Sequence, residues 1–80
     1  MRVSAQISIY PLRQEKLSPA VNAVREALVA HGLDPDVGPM STVVAGDLSL
    51  VFSAIEDAFQ AAAAEGDTVA TFTVSNACPA

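Results

Sequence analysis

The chain has 80 residues, 51% of them hydrophobic, with a formal net charge of −5 and one cysteine. A chain of this length buries only roughly 60–65% of its unfolded surface, so one domain over residues 1–80 that gains stability by self-association is the expected plan. Four basic residues without a cluster argue against nucleic acid, the lone Cys78 excludes an internal disulfide, and no apolar run is long enough to span a membrane.

The first segment, VSAQISIY (3–10), alternates strictly, with Val3, Ala5, Ile7 and Ile9 on one face and Ser4, Gln6, Ser8 and Tyr10 on the other. That period-two pattern is a half-buried strand, closed by Pro11. Its apolar residues are too interrupted for the hydrophobic core of a signal peptide, so a cytoplasmic location is expected.

A helix follows over 18–31, with Ser18 as a capping residue and Pro19 in the first turn. Leu17, Val21, Val24, Leu28 and His31 recur as one stripe, and Gly32 ends the helix. A short edge strand near Asp34 to Val37 is expected because of Pro35. A turn through Gly38, Pro39, Met40 and Ser41 then leads to the strand TVVA (42–45). Gly46 and Asp47 punctuate, with Asp47 as N-cap of a second helix over 48–64. There Leu48, Val51, Phe52, Ile55, Phe59 and Ala62 form the expected apolar face. After Gly66, TVATFTVS (68–75) alternates again.

The order strand, helix, strand, strand, helix, strand predicts an α+β, ferredoxin-like βαββαβ sandwich: an antiparallel sheet with two helices on one face and spatial strand order 4-1-3-2. The opposite face is expected to carry Ser4, Gln6, Ser8, Tyr10, Thr71, Thr73, Ser75, Thr42 and Val44. Such small, uncharged groups suit close packing of a second protein surface, or hydrogen bonding to a ligand from a rigid platform.

Catalytic groups are sparse. His31, the one histidine, falls where it complements a helix C-terminus. Glu15, Glu26, Glu56 and Glu65 read as solvated, and Asp34 and Asp36 are too few for a calcium site. The segment after Gly38 lacks the lysine and glycine spacing of a phosphate loop. Neither an enzyme nor a metal site is expected.

Three stretches, QISIYPL (6–12), GPMSTVVAGD (38–47) and TFTVSNACP (71–79), resemble the small single-domain thiamine- or hydroxymethylpyrimidine-binding family related to YkoF. The pattern departs at Ser41, where a glycine is common, and at Ala45, where a glutamate is common. The resemblance implies a ferredoxin-like domain that pairs through its sheet into a homodimer or homotetramer. It implies non-catalytic binding of thiamine or its hydroxymethylpyrimidine moiety, with no further cofactor. An aminopyrimidine needs a donor–acceptor edge, which Gln6, Ser8, Thr42, Thr73, Ser75 and Asn76 can supply, and a flank, which Tyr10 and Met40 can supply. The alternative is a regulatory or scaffolding oligomerisation domain without that ligand.

Overall fold

The computed structural model describes residues 1–12, 18–38 and 41–77. Within them the chain forms β1 (Arg2–Pro11), α1 (Ser18–Ala30), β2 (Asp36–Val37), β3 (Thr42–Asp47), α2 (Leu48–Ala63) and β4 (Thr68–Ser75). The four strands make one antiparallel sheet in the order β2-β3-β1-β4, with β1 and β3 central. This is the predicted βαββαβ architecture. Leu17, Glu15, Met40 and Cys78, named above, lie outside the described residues.

One core joins the two layers. Val3, Ala5 and Ile7 from β1 and Val44 from β3 meet Ala20, Val24 and Leu28 from α1 and Val51, Ala54, Ile55, Ala58 and Ala62 from α2. The alternation of β1 therefore resolves as expected, odd residues toward the helices and even ones away. In α1 the buried line is shifted from the predicted stripe: Ala20 is 0% exposed and Val21 38%. In α2, Phe52 and Phe59 stand 45% and 40% exposed at the rim, and alanines fill the seam instead. Small side chains let the helix backbone approach its neighbours closely, and a phenylalanine ring has no room there.

α1 ends as its glycine predicts. Gly32 adopts φ 78°, donates its N–H to Val29 O at 2.9 Å, and the following Leu33 N–H reaches Leu28 O at 3.2 Å. These are the two bonds of a Schellman cap, and Leu28 and Leu33 are both buried. Asp47 caps α2 through a hydrogen bond from Ser49 N at 3.2 Å and also pairs with the Met1 ammonium at 3.3 Å. Those contacts, the ammonium first, hold its carboxyl below the usual aspartate value.

The phase of β3 is opposite to expectation. Thr42 lies opposite Ile7, Val44 opposite Ala5 and Gly46 opposite Val3, so all three face the helices. Val43 and Ala45 take the open face in place of Thr42 and Val44. The reason is steric as well as hydrophobic. A Cβ on Gly46 would come within 3.0 Å of Leu33 Cδ2 and 3.6 Å of Val51 Cγ2, so the helix layer closes directly over this glycine.

Candidate functional site: an uncharged sheet platform and a cavity behind it

On the open face, β1 contributes Ser4, Gln6, Ser8 and Tyr10. The register sets Ser75, Thr73, Thr71 and Val69 of β4 opposite them, in that order. On the other side, Ala45 lies opposite Ser4 and Val43 opposite Gln6. The middle of this platform is uncharged, while Arg2, Asp47 and Asp36 stand at its margins. Ala45, where the related pattern carries glutamate, is thus a platform position beside Ser4.

The structure brings together only part of the predicted ligand set. Gln6, Ser8 and Thr73 cluster at the centre, within one ladder spacing of each other. Tyr10 does not meet Ser75 or Asn76: Ser75 lies opposite Ser4, and Tyr10 is six positions along the strand from Ser4, about 20 Å. Asn76 occupies a bend closed by Ala77 N donating to Ser75 Oγ at 3.0 Å. Met40 is outside the described residues. Thr42 lies on the other side of the sheet, because the antiparallel register ties it to the phase of Ile7.

That second side holds a feature that reading the sequence did not anticipate. A cavity of about 110 Å³ opens between α1 and the sheet, walled by Ile7, Ile9, Val21, Val24, Val37 and Thr42, with Gly38 and Ser41 at the β2–β3 turn. Among the described residues, no ionisable side chain lines it. Ser41 links cavity and platform, since its Oγ accepts a hydrogen bond from Gln6 Nε2 at 3.1 Å. Between β2 and β3, Gly38 N donates to Ser41 O at 2.8 Å. An apolar cavity of about 150 Å³ is known to admit a single benzene-sized ring, whereas a drug-sized ligand needs about 300 Å³ or more. The space beside Thr42 is smaller than both, so it takes at most one ring and not two.

His31 is engaged elsewhere. It follows α1 and its Nε2 lies 2.6 Å from Asp57 Oδ2 of α2, tying the two helices together. The expected role at a helix C-terminus thus becomes a helix–helix contact, with Asp57 a partner that no local pattern announces. Among the described residues, no group of three or more histidine, cysteine, aspartate or glutamate side chains is arranged to hold a metal. No helix among them is long and apolar enough to cross a membrane.

The fold has close counterparts among solved structures. A hypothetical protein from Methanocaldococcus jannascii is 26% identical and superposes with a TM-score of 0.85, over 94% of this chain and 79% of that one. A Streptococcus pneumoniae protein gives 0.85 at 21% identity, over 94% and 86%. A "putative thiamine biosynthesis/salvage protein" from Thermotoga maritima gives 0.81 at 17% identity, over 92% and 82%. Among curated protein sequences none matches. The family model described as thiamine-binding protein matches residues 5–74. With that match spanning β1 to β4, the chain belongs to the thiamine-binding protein family.

Proposed function

We propose that this protein binds thiamine or its hydroxymethylpyrimidine moiety without transforming it, as a homo-oligomer in the cytoplasm. The observation that carries the reading is the family match over residues 5–74. The Thermotoga maritima neighbour, whose description concerns thiamine biosynthesis or salvage, points the same way. The chemistry of the site agrees. Among the described residues, the cavity beside Thr42 has apolar walls, two hydroxyl side chains and no ionisable group, which suits a neutral methylated pyrimidine better than a thiazolium cation. The pyrimidine enters the cavity, its polar edge meets Thr42 and Ser41, and the rest of thiamine extends outward past the turn. Gln6, Ser8 and Thr73 serve the open face, where a second copy packs. Tyr10, Ser75 and Asn76 stand at the two ends of that face and belong to the same contact surface.

Thermal-shift and calorimetric titration of the full chain with hydroxymethylpyrimidine, thiamine, thiamine diphosphate and adenosine monophosphate test this reading. The first two raise the melting temperature, by about 2.7 kcal/mol of stability at one hundred times the dissociation constant. Thiamine diphosphate binds no better than thiamine, because among the described residues no lysine or arginine lines the cavity to meet phosphates. Absence of heat and of stabilisation with every thiamine compound at millimolar concentration would overturn the ligand reading and leave an oligomerisation domain.

A further inference from the structure

The cavity has walls of unequal firmness. Ile7 and Val24 are core residues, 2% and 3% exposed, and Thr42 sits in the central strand β3, paired with Ile7. The outer wall is Val37 and Gly38, at the end of β2. That strand lies at the sheet edge and is two residues long. It is joined to β3 by the pairs Asp36–Val43 and Val37–Thr42, and Val37 is 44% exposed. A wall held this lightly opens locally at small cost, so whatever fixes the end of β2 also fixes the width of the cavity.

The end of β2 leans on Ser41. Gly38 N donates to Ser41 O at 2.8 Å, and a Cβ on Gly38 would come within 3.2 Å of the same oxygen. Ser41 in turn is held by β1. One step beyond the Ile7–Thr42 pair, the register sets Ser41 against Ser8 on the open face. Gln6 is then its diagonal neighbour, a separation that a long side chain bridges, and Gln6 Nε2 donates to Ser41 Oγ at 3.1 Å. A chain of contacts thus starts at Gln6 in the central strand β1. It passes through the side chain and then the carbonyl of Ser41, and ends at the Gly38 amide in the outer wall of the cavity.

The geometry points to Gln6 as a positioning residue for the cavity: it does not line the space itself, and it sets the outer wall through Ser41. The inference rests on the reading of that cavity as the ligand's place. Its physical content is preorganisation. A wall already in place when the ring enters spares the complex an ordering cost. Without the bond, Ser41 and the end of β2 sample wider arrangements. The fraction of molecules with a competent cavity falls, and the apparent Kd rises in proportion. Gln6 is exposed and water competes for its amide, so the effect lies at the low end for one hydrogen bond, about two- to fivefold in affinity.

Gln6→Leu, Ser41→Ala and the double variant of the full chain test this with two readouts. The first needs no ligand. Amide hydrogen exchange of Gly38 is faster in Gln6→Leu than in the parent, and Gln6→Leu adds nothing further once Ser41 is alanine. The melting temperature stays near the parent's, because leucine is tolerated on an exposed strand position. The second readout is calorimetry with hydroxymethylpyrimidine. Gln6→Leu binds about two- to fivefold more weakly, yet the same change in the Ser41→Ala background is silent, since its bond is already gone. The leucine stands on the open face in both backgrounds, so any effect it has on that face cancels. Gln6→Glu restores the tie with the roles reversed, the Ser41 hydroxyl donating to the carboxylate, and binds like the parent. Unchanged Gly38 exchange in Gln6→Leu would overturn the proposal. So would an unchanged affinity, an equal loss in the Ser41→Ala background, or a glutamate variant as weak as the leucine one. If the parent binds no thiamine compound, the ligand reading fails, while the exchange of Gly38 still decides whether Gln6 sets the wall.

Discussion

Thr42→Val separates the cavity from the open platform as the place where ligand binds. Thr42 is half-buried, opposite Ile7 in the ladder, and lines the cavity between α1 and the sheet. Valine keeps the shape and is a favourable strand residue, so the variant folds with a melting temperature at or slightly above the parent's. What it loses is one hydroxyl facing a space the size of a single ring. One hydrogen bond contributes about 0.5–1.5 kcal/mol net, so calorimetry with hydroxymethylpyrimidine shows a dissociation constant raised roughly 2- to 13-fold. The ring's methyl group adds a second check. Burying it is worth about 0.8 kcal/mol, so the analogue without the methyl binds the parent about fourfold more weakly. Thr73→Val makes the same chemical change on the platform, opposite Gln6 and across the sheet from the cavity, and leaves the affinity within twofold. The reverse pattern, with Thr42→Val silent and Thr73→Val weakened, would refute the cavity as the ligand's place.

Ser8→Arg puts a long cation at the centre of the uncharged face, where it has no carboxylate partner in a packed interface; sedimentation shows a smaller assembly, and an unchanged mass would count against the face as a contact surface. Leu28→Ala removes a side chain that is fully buried and forms one half of the Schellman contact with Leu33; urea unfolding reports a loss of about 3–4 kcal/mol, and a loss under ~1 kcal/mol would mean that α1 does not pack as described. Asp47→Asn keeps a capping oxygen and removes the charge that meets the Met1 ammonium. Because the folded-state value of Asp47 lies below the ordinary 3.8, its stabilisation is present above that value and fades as pH falls through the lowered one. Urea midpoints between about pH 6 and pH 2 therefore fall less steeply for the variant, and identical slopes would show that the ion pair does not form in solution.

Much of this architecture was legible in local chemistry. The alternation of Val3, Ala5 and Ile7 with Ser4, Gln6 and Ser8 names both faces of β1 without ambiguity, because the two sets differ in polarity at every step. Gly32 and Asp47 announce a helix end and a helix start because their roles depend on their own backbone and side chain. The resemblance of residues 6–12, 38–47 and 71–79 led to the family that the match over residues 5–74 establishes.

What depended on tertiary structure is the set of features that two distant segments decide jointly. TVVA contains adjacent valines, so its phase cannot be read from polarity; the pairing of Ala5 with Val44, and the helix layer closing over Gly46, turn Thr42 inward and Val43 outward. The stripe on α2 counts Phe52 and Phe59 as core by spacing, yet the narrow seam against α1 admits Ala54, Ala58 and Ala62 and sends the rings to the rim. The cavity beside Thr42, the tie from His31 to Asp57 and the edge position of β4 arise in the same way. A periodic pattern reports the apolar side of an element. Which partner meets that side, how closely, and which hydrogen-bonding groups are left over are set only when the elements pack.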